Sequence, residues 1–245
     1  MRPLSVTELL DAWERGLDET PPERALILLA ACSDEAPAAL ARLSIGRRDA
    51  RLLRLREQTF GAQLVSLANC PACGERMECT FNVCDLRGAP ELEVAGDFTL
   101  NLDDDEVRFR LPNSLDQLAL AACADMASAR GLLLQRCLLT ASVHDAESRI
   151  AHLPPDAWAQ IAEQMARADP QADIQLDMSC AACAHRWQEA FDIGSFFWTE
   201  LDAWARRLLL DVHTLARAYS WSERDILNLS APRRQFYLNL ISGAV

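Results

Sequence analysis

Two Cys-x-x-Cys pairs, separated by 106 residues, constrain the fold of this chain more than any other feature. Cys70 and Cys73 lie in the sequence CPACG, and Cys180 and Cys183 lie in the sequence CAAC. Segments of alternating apolar and polar residues flank each pair, as in half-buried strands, although the alternation is poor in residues 63–69. The sequence therefore predicts two strand–knuckle–strand hairpins that are far apart along the chain.

Two such hairpins together predict one tetrahedral zinc site with four cysteine ligands. Structural zinc prefers four ligands, and thiolate is a favoured donor. The expected ligands are Cys70, Cys73, Cys180 and Cys183, which would close the coordination shell and make one Zn²⁺ per chain structural rather than catalytic. The intervening residues would then form a helical insertion in a split zinc ribbon. Metal binding would contribute directly to the folding free energy.

Three alternatives to the four-cysteine site stay open. His185 could replace one cysteine, the two pairs could be unrelated reduced thiols, or one pair could be redox-active. A thioredoxin-like pair follows a strand and opens a helix, whereas Cys73 leads into a predicted strand. Gly74 permits the positive φ that a knuckle needs, and the second pair lacks such a glycine, which weakens its match.

The other cysteines and the N-terminus indicate a reducing compartment. The chain has nine cysteines and begins with an acidic, amphipathic stretch rather than a signal peptide, so we expect a cytoplasmic protein without disulfides. No apolar run of about 18 residues occurs, so no membrane partner is expected. We expect four further cysteines to be ordinary core residues: Cys32, Cys79, Cys123 and Cys137.

The remaining pattern is mainly helical and predicts an α+β fold with one further hairpin. Phe98 to Leu102 and Val107 to Leu111 alternate around an acidic turn at 103–105. Ser114 and Gln117 suit a capping box for the next helix. The predicted division is 1–60, N-terminal helices; 61–95, first half of the zinc ribbon; 96–170, hairpin and helical insertion; 171–194, second half of the ribbon; 195–245, C-terminal helical module.

Known catalytic motifs are absent from the sequence. It has no glycine-rich phosphate loop, no His-Glu-x-x-His and no Gly-x-Ser-x-Gly. Of the four histidines, His213 lies in an apolar helical stretch and is expected to be a core residue. We therefore expect the protein not to be an enzyme.

Charge disfavours the rival hypothesis of a zinc-ribbon regulator that binds nucleic acid. The net charge is −12, which repels phosphates unless arginines cluster. The densest cluster, at 47–56, is expected to be the solvated face of a helix. The C-terminal helices could form a helix-turn-helix, but the candidate recognition helix has Arg224 against Glu223 and Asp225, too few donors for phosphates and bases.

Three stretches of the sequence together resemble a known family. They are GRRDARLLRLR at 46–56 leading to CPACG at 70–74, VRFRLPNSLD at 107–116, and VHTLA at 212–216 continuing through YSWSE at 219–223 to RRQFYL at 233–238. In these stretches the chain resembles baseplate proteins encoded with contractile phage tails and phage-derived injection systems. It is similar to the baseplate-hub assembly chaperones of T-even-type phages.

This resemblance implies a non-enzymatic assembly factor or minor structural component of a contractile-tail baseplate. Its implied partners are baseplate or hub proteins, bound without catalysis. The C-terminal helices carry a high density of aromatic residues, which suits a protein-binding surface. We therefore expect the partner surface there.

Overall fold

A computed structural model of the chain describes residues 1–86, 96–102, 105–139 and 155–243. The helices are α1 (Val6–Gly16), α2 (Pro21–Cys32), α3 (Pro37–Ala41), α4 (Ile45–Phe60), α5 (Val83–Leu86), α6 (Ser114–Leu120), α7 (Met126–Cys137), α8 (Pro155–Ala168), α9 (Ile193–Tyr219), α10 (Glu223–Leu227) and α11 (Ala231–Ser242), with a 3₁₀ helix at Pro170–Ala172. The strands are β1 (Gln63–Asn69), β2 (Arg76–Asn82), β3 (Phe98–Leu102), β4 (Asp105–Phe109), β5 (Ile174–Ser179) and β6 (Arg186–Phe191).

The described strands form three separate antiparallel hairpins, β1–β2, β3–β4 and β5–β6. The predicted fold class is therefore confirmed: a mainly helical α+β protein with two strand–CxxC–strand hairpins and one further hairpin. The division into five segments stays a prediction. Residues 103 and 104 of the expected acidic turn lie outside the described residues.

The first helices begin where the sequence places their caps. The Ser5 hydroxyl accepts from the N–H of Glu8, and the Glu8 carboxylate accepts from the N–H of Ser5 at 2.9 Å, which closes a capping box on α1. Thr20 and Glu23 form the same box on α2, whose first residue is Pro21. These local signals satisfy donors that a helix start leaves unpaired.

One main core joins the N-terminal helices, the bases of the two ribbon hairpins and the first half of α9. It contains Leu28, Leu52 and Leu53 from the helices, together with Leu64 from β1 and Phe197 from α9, all at most 1% exposed. Burial of large apolar side chains is the dominant favourable term in folding. The two hairpins are therefore anchored to a single helical platform.

The arginine-rich helix α4 is only partly a solvated face, so that prediction was wrong for two of its arginines. Arg48 and Arg56 are buried, at 4% and 2% exposure. Arg56 donates to both carboxylate oxygens of Glu200 on α9, at 2.6 and 2.7 Å. Burial is tolerated because each guanidinium is paired.

The insertion has its own small core around the β3–β4 hairpin. Phe109 and Ile161 are fully buried there against Val107, Leu134 and Leu138. Beside this core, Asn113 rather than Ser114 caps α6, so the predicted capping box was displaced by one residue. Its true members are Asn113 and Asp116.

The insertion is fixed to the platform at the start of α4. The N–H of Gly46 donates to Asp169 Oδ2 at 2.9 Å, and the N–H of Ile45 donates to the carbonyl of Pro112 at 3.1 Å. A Cβ at Gly46 would lie 2.0 Å from Asp169 Oδ1, so only glycine allows this approach.

The C-terminal module packs α10 and α11 against the end of α9. Val212, Leu215 and Ile226 form its buried centre. Ser220 ends α9 in the left-handed conformation, at φ +58°. His213 is exposed, so the prediction of a core histidine was wrong.

Candidate metal centre

Each ribbon hairpin carries its cysteine pair at the turn between its strands. In β1–β2 the last paired residues are Asn69 and Arg76, and in β5–β6 they are Ser179 and Arg186. Strand alternation turns one face of each hairpin toward the other hairpin. Phe81 and Phe191 meet between the faces with ring centroids 5.4 Å apart.

The two knuckles have the same backbone hydrogen bonds. The N–H of Cys70 donates to the carbonyl of Glu75 at 2.9 Å, and the N–H of Gly74 donates to the carbonyl of Cys70 at 2.8 Å. In the second knuckle, the N–H of Cys180 donates to His185 and the N–H of Ala184 donates to Cys180, both at 2.9 Å.

The second knuckle reaches this geometry without a glycine. Gly74 has φ +76°, and Ala184, in the matching position, has φ +57°. A left-handed conformation costs an L-residue with a Cβ about 1 to 2 kcal/mol. The absence of glycine therefore strains the second knuckle but does not change its shape.

The four sulfur atoms form one compact group. Cys73 Sγ lies 3.6 Å from Cys180 Sγ, and Cys70 Sγ lies 3.7 Å from Cys183 Sγ. All four lie within 4.8 Å of one another. Sulfurs about 2.3 Å from a tetrahedral zinc lie about 3.8 Å apart, so the cluster has the dimensions of a Cys₄ site.

Hydrogen bonds and neighbouring thiols give the cysteines different pKa values. Burial raises the pKa of Cys70, but N–H donors of Cys73 and Ala72 and adjacent thiols outweigh it and lower that pKa to about 7. For Cys73, the N–H of Glu75 lowers the pKa, but the Cys183 thiol and burial raise it to about 12. A bound dication would allow all four thiols to ionise together.

Among the described residues, the four clustered cysteines are distinct from His185 and from the other cysteines that the sequence offered. In the described part of the chain, the four cysteines are the one group of three or more metal-ligand side chains that meet closely enough for an ion, and His185 is outside it. The His185 ring stacks on Trp187 at 6.0 Å. Cys32 and Cys137 are buried as predicted, whereas Cys79 and Cys123 are only half-buried.

The two hairpins also match residue by residue at an offset of 110. Arg76 corresponds to Arg186, and Phe81 corresponds to Phe191. The same offset maps Cys73 onto Cys183 and Cys180 onto Cys70. It therefore converts each of the two short sulfur contacts into the other. The hairpins are therefore related by a local pseudo-twofold axis. Identical spacing of arginine and phenylalanine from the first cysteine was the sequence signal for it.

A sequence model described as T4 bacteriophage base plate protein matches residues 23–198, more than two-thirds of the chain and both cysteine pairs. The chain belongs to this family. The predicted resemblance to baseplate proteins is thus confirmed, while the likeness to hub chaperones stays a prediction. Searches of curated proteins and of solved structures found no match.

Membership in a baseplate family indicates a structural or assembly role and interaction with other baseplate components. Among the residues that the structure describes, no helix has both the length and the apolar character needed to cross a bilayer. The four cysteines could hold a metal ion, and their geometry suits zinc.

Proposed function

We propose that this baseplate-family protein is a non-enzymatic assembly factor or minor structural component of a contractile-tail baseplate. It acts by binding hub or other baseplate proteins in the cytoplasm of the host, and it can stay in the finished particle. The observation that carries the proposal is the family match over residues 23–198. In this proposal the protein binds the surface of a partner protein and catalyses no reaction.

The proposal includes one structural Zn²⁺ per chain, held by Cys70, Cys73, Cys180 and Cys183. The sulfur spacing supports it, as do the paired knuckles on hairpins whose bases share one core. The ion would fix the tips of the hairpins, and four thiolates would leave it no open position for catalysis.

The proposed partner surface is α11, which lies beyond the family-matched residues. Its apolar side chains Phe236, Leu240 and Ile241 are 55%, 45% and 40% exposed. Phe236 and Leu240 are one helical turn apart and form one outward stripe. Aromatic side chains such as Phe236 are enriched in protein interfaces, whose fully buried centres are more apolar than their rims.

Co-purification tests the role directly. The tagged protein would be expressed with its own operon, and its partners would be identified by mass spectrometry from soluble pools and from finished particles. Hub or baseplate proteins in the eluate would support the role, and presence in particles would separate a component from a released chaperone. Nucleic acid as the sole partner would instead favour the zinc-ribbon regulator.

Metal analysis of the same preparation tests the zinc site. We expect about one zinc per chain, by the four-ligand rule, and loss of the metal in Cys180→Ser. Cys32→Ser is the matched control, because Cys32 is buried in the helical core rather than in the cluster. A stable, metal-free wild-type protein would contradict the proposed site.

A further inference from the structure

A cavity of about 290 Å³ lies where the second ribbon hairpin meets the helical platform. Its walls come from the starts of α2, α4 and α9, from α6, and from residues 172–174 and 190–191. The volume is just below the range typical of drug-sized ligands, so it suits one small group such as a single side chain. The polar or charged side chains in its lining are Arg48, Asp49, Gln117, Asp173 and Asp192.

Arg48, the arginine of this lining, already donates hydrogen bonds to three side chains. Arg48 Nε donates to Asp49 Oδ1 at 2.8 Å, and Nη1 donates to Ser114 Oγ at 3.3 Å and to Gln117 Oε1. These bonds use Nε and Nη1 of the guanidinium. The lining carries three aspartates against this one arginine, so its charge disfavours a phosphate or carboxylate ligand.

In contrast, only one of the two carboxylate oxygens of Asp49 accepts a hydrogen bond from the described residues. Its side chain is 10% exposed, and Oδ1 accepts from Arg48. Within the described residues no hydrogen bond reaches Oδ2, and Oδ2 is not among the fully enclosed unpaired atoms. Asp49 also lines the cavity, so a cation that enters it comes close to this carboxylate.

The surrounding charges favour a positive group in that space. Burial raises the pKa of Asp49 to about 6; Arg48 opposes the rise, and the carboxylates of Asp192 and Asp169 add to it. Asp192 caps α9 through the N–H of Gly194 at 2.8 Å, so its position is fixed. The aspartates that line the cavity are Asp49, Asp173 and Asp192, against one arginine, so a second cation there would stabilise the ionised form of Asp49.

A metal ion is a poor match for these carboxylates. In the described part of the chain, the cysteine cluster is the one place where three or more ligand atoms approach closely enough for an ion. A guanidinium or ammonium group carries several donors on one cation and can bind carboxylates that are further apart.

We infer that this cavity receives the arginine or lysine side chain of a partner baseplate protein, with Asp49 Oδ2 as its main acceptor. The inference rests on the proposed function and names the chemistry of one partner contact. All lining residues except Pro21 and Pro22 lie within the family-matched part of the chain, unlike the α11 surface.

The first test uses N-acetyl-arginine methylamide as a probe, titrated into the zinc-loaded full chain by isothermal titration calorimetry and amide NMR. The citrulline analogue, which has nearly the same shape without the charge, is the matched control probe. We expect shifts at Gly194 and at least tenfold weaker binding of the citrulline probe, as for loss of a charge-assisted hydrogen bond.

Two variants assign the probe's binding to the cavity. Asp49→Asn removes the charge with little change in shape, and Ala190→Phe fills the mouth without altering any charge, because Ala190 is an exposed lining residue. Both should weaken binding about tenfold or more. Glu163→Gln removes an exposed carboxylate outside the cavity lining and should have no effect. Equal binding of both probes, or no binding of the arginine probe, would overturn the inference.

Co-purification then distinguishes a partner's side chain from a free amine. Reduced recovery of baseplate proteins with Asp49→Asn and Ala190→Phe, but not with Glu163→Gln, would support the inference. If the wild type and all three variants recover the same partners, the cavity inference is wrong while the proposed function stands. If agmatine binds the cavity and partner recovery is unchanged, the ligand is a free amine, and the partner contact is refuted.

Discussion

Two residues in equivalent positions of the knuckles show how one backbone shape can have different free-energy costs. Gly74 and Ala184 both have positive φ, and a Cβ at Gly74 would meet no atom within 4 Å. The two positions therefore differ in the conformational strain of the backbone and not in steric clashes.

We predict that Ala184→Gly stabilises the zinc-loaded protein by about 1 kcal/mol and that Gly74→Ala destabilises it by about 1 kcal/mol. Urea unfolding with zinc in excess measures both free energies. The matched control, Ala182→Gly, changes a knuckle residue without positive φ and should give no gain. An Ala184→Gly variant that is less stable than the wild type would contradict the predicted backbone strain at Ala184.

Asp49 should make stability depend on pH in an unusual direction. Its folded pKa of about 6 lies above its unfolded value, so the folded state binds a proton more readily and this contribution to stability is lost as pH rises. We expect the free energy of unfolding of the wild type, minus that of Asp49→Asn, to fall by about 1 kcal/mol between pH 5 and 7. Subtracting the value for the variant removes the pH dependence of the proposed metal site. A difference that does not change between pH 5 and 7 would contradict the raised pKa.

At the scale of elements, one buried carboxylate joins three parts of the insertion: the end of β4, the start of α6 and α7. Asp116 is fully buried and accepts from Arg110 at 2.6 and 2.9 Å, from Arg136 at 2.8 Å and from the N–H of Asn113 at 2.9 Å. Although burial raises it, the pKa of Asp116 is held below its usual range by Arg110, by the N–H of Asn113 and by Arg136.

We predict that Asp116→Asn lowers the free energy of unfolding by about 2 to 4 kcal/mol, because two arginines lose their shared counter-ion. The lower part of this range reflects their partial exposure to solvent. Asp97→Asn breaks the exposed pair with Arg108 and should cost less than about 1 kcal/mol. Thermal unfolding measures the loss of stability in both variants. Equal losses would contradict the role of Asp116 in joining these parts of the insertion.

The elements show how far the sequence alone could predict the fold. Local signals, such as Ser5 before α1 and the alternation around the cysteine pairs, placed most helices and all six described strands. Long-range packing had no local signal: Arg56 looked like a surface residue because Glu200, its partner, is 144 residues away. The four cysteines were predictable because metal chemistry fixes both residue type and spacing, whereas the cavity around Asp49 depends on distant segments that meet only in the folded chain.

The whole molecule consists of a helical platform with two hairpins whose bases are packed and whose tips meet at the cysteines. The bases are fixed by buried residues such as Leu64, Val83 and Ile193, which belong to the main core. The strand residues nearer the tips are mostly half-buried or exposed. Removal of the proposed metal ion should therefore loosen the tips before the platform.

We predict that a chelator accelerates amide hydrogen exchange at least about tenfold near both knuckles while leaving α4 and the first half of α9 protected. Cys180→Ser should exchange rapidly at the knuckles with or without the chelator. Hydrogen-exchange mass spectrometry resolves these segments. Uniform loss of protection in the platform would show instead that the metal holds the entire fold together.

The distance between the two cysteine pairs along the chain also sets an order of events during translation. At about 5 to 20 residues per second, a ribosome needs roughly 5 to 20 seconds to add the residues that separate the knuckles. Throughout that interval the nascent chain has two thiols of a four-thiol site, too few to close a zinc shell. The proposed zinc ion could complete its site only after the second hairpin emerges, so zinc capture would report that the insertion has already been made.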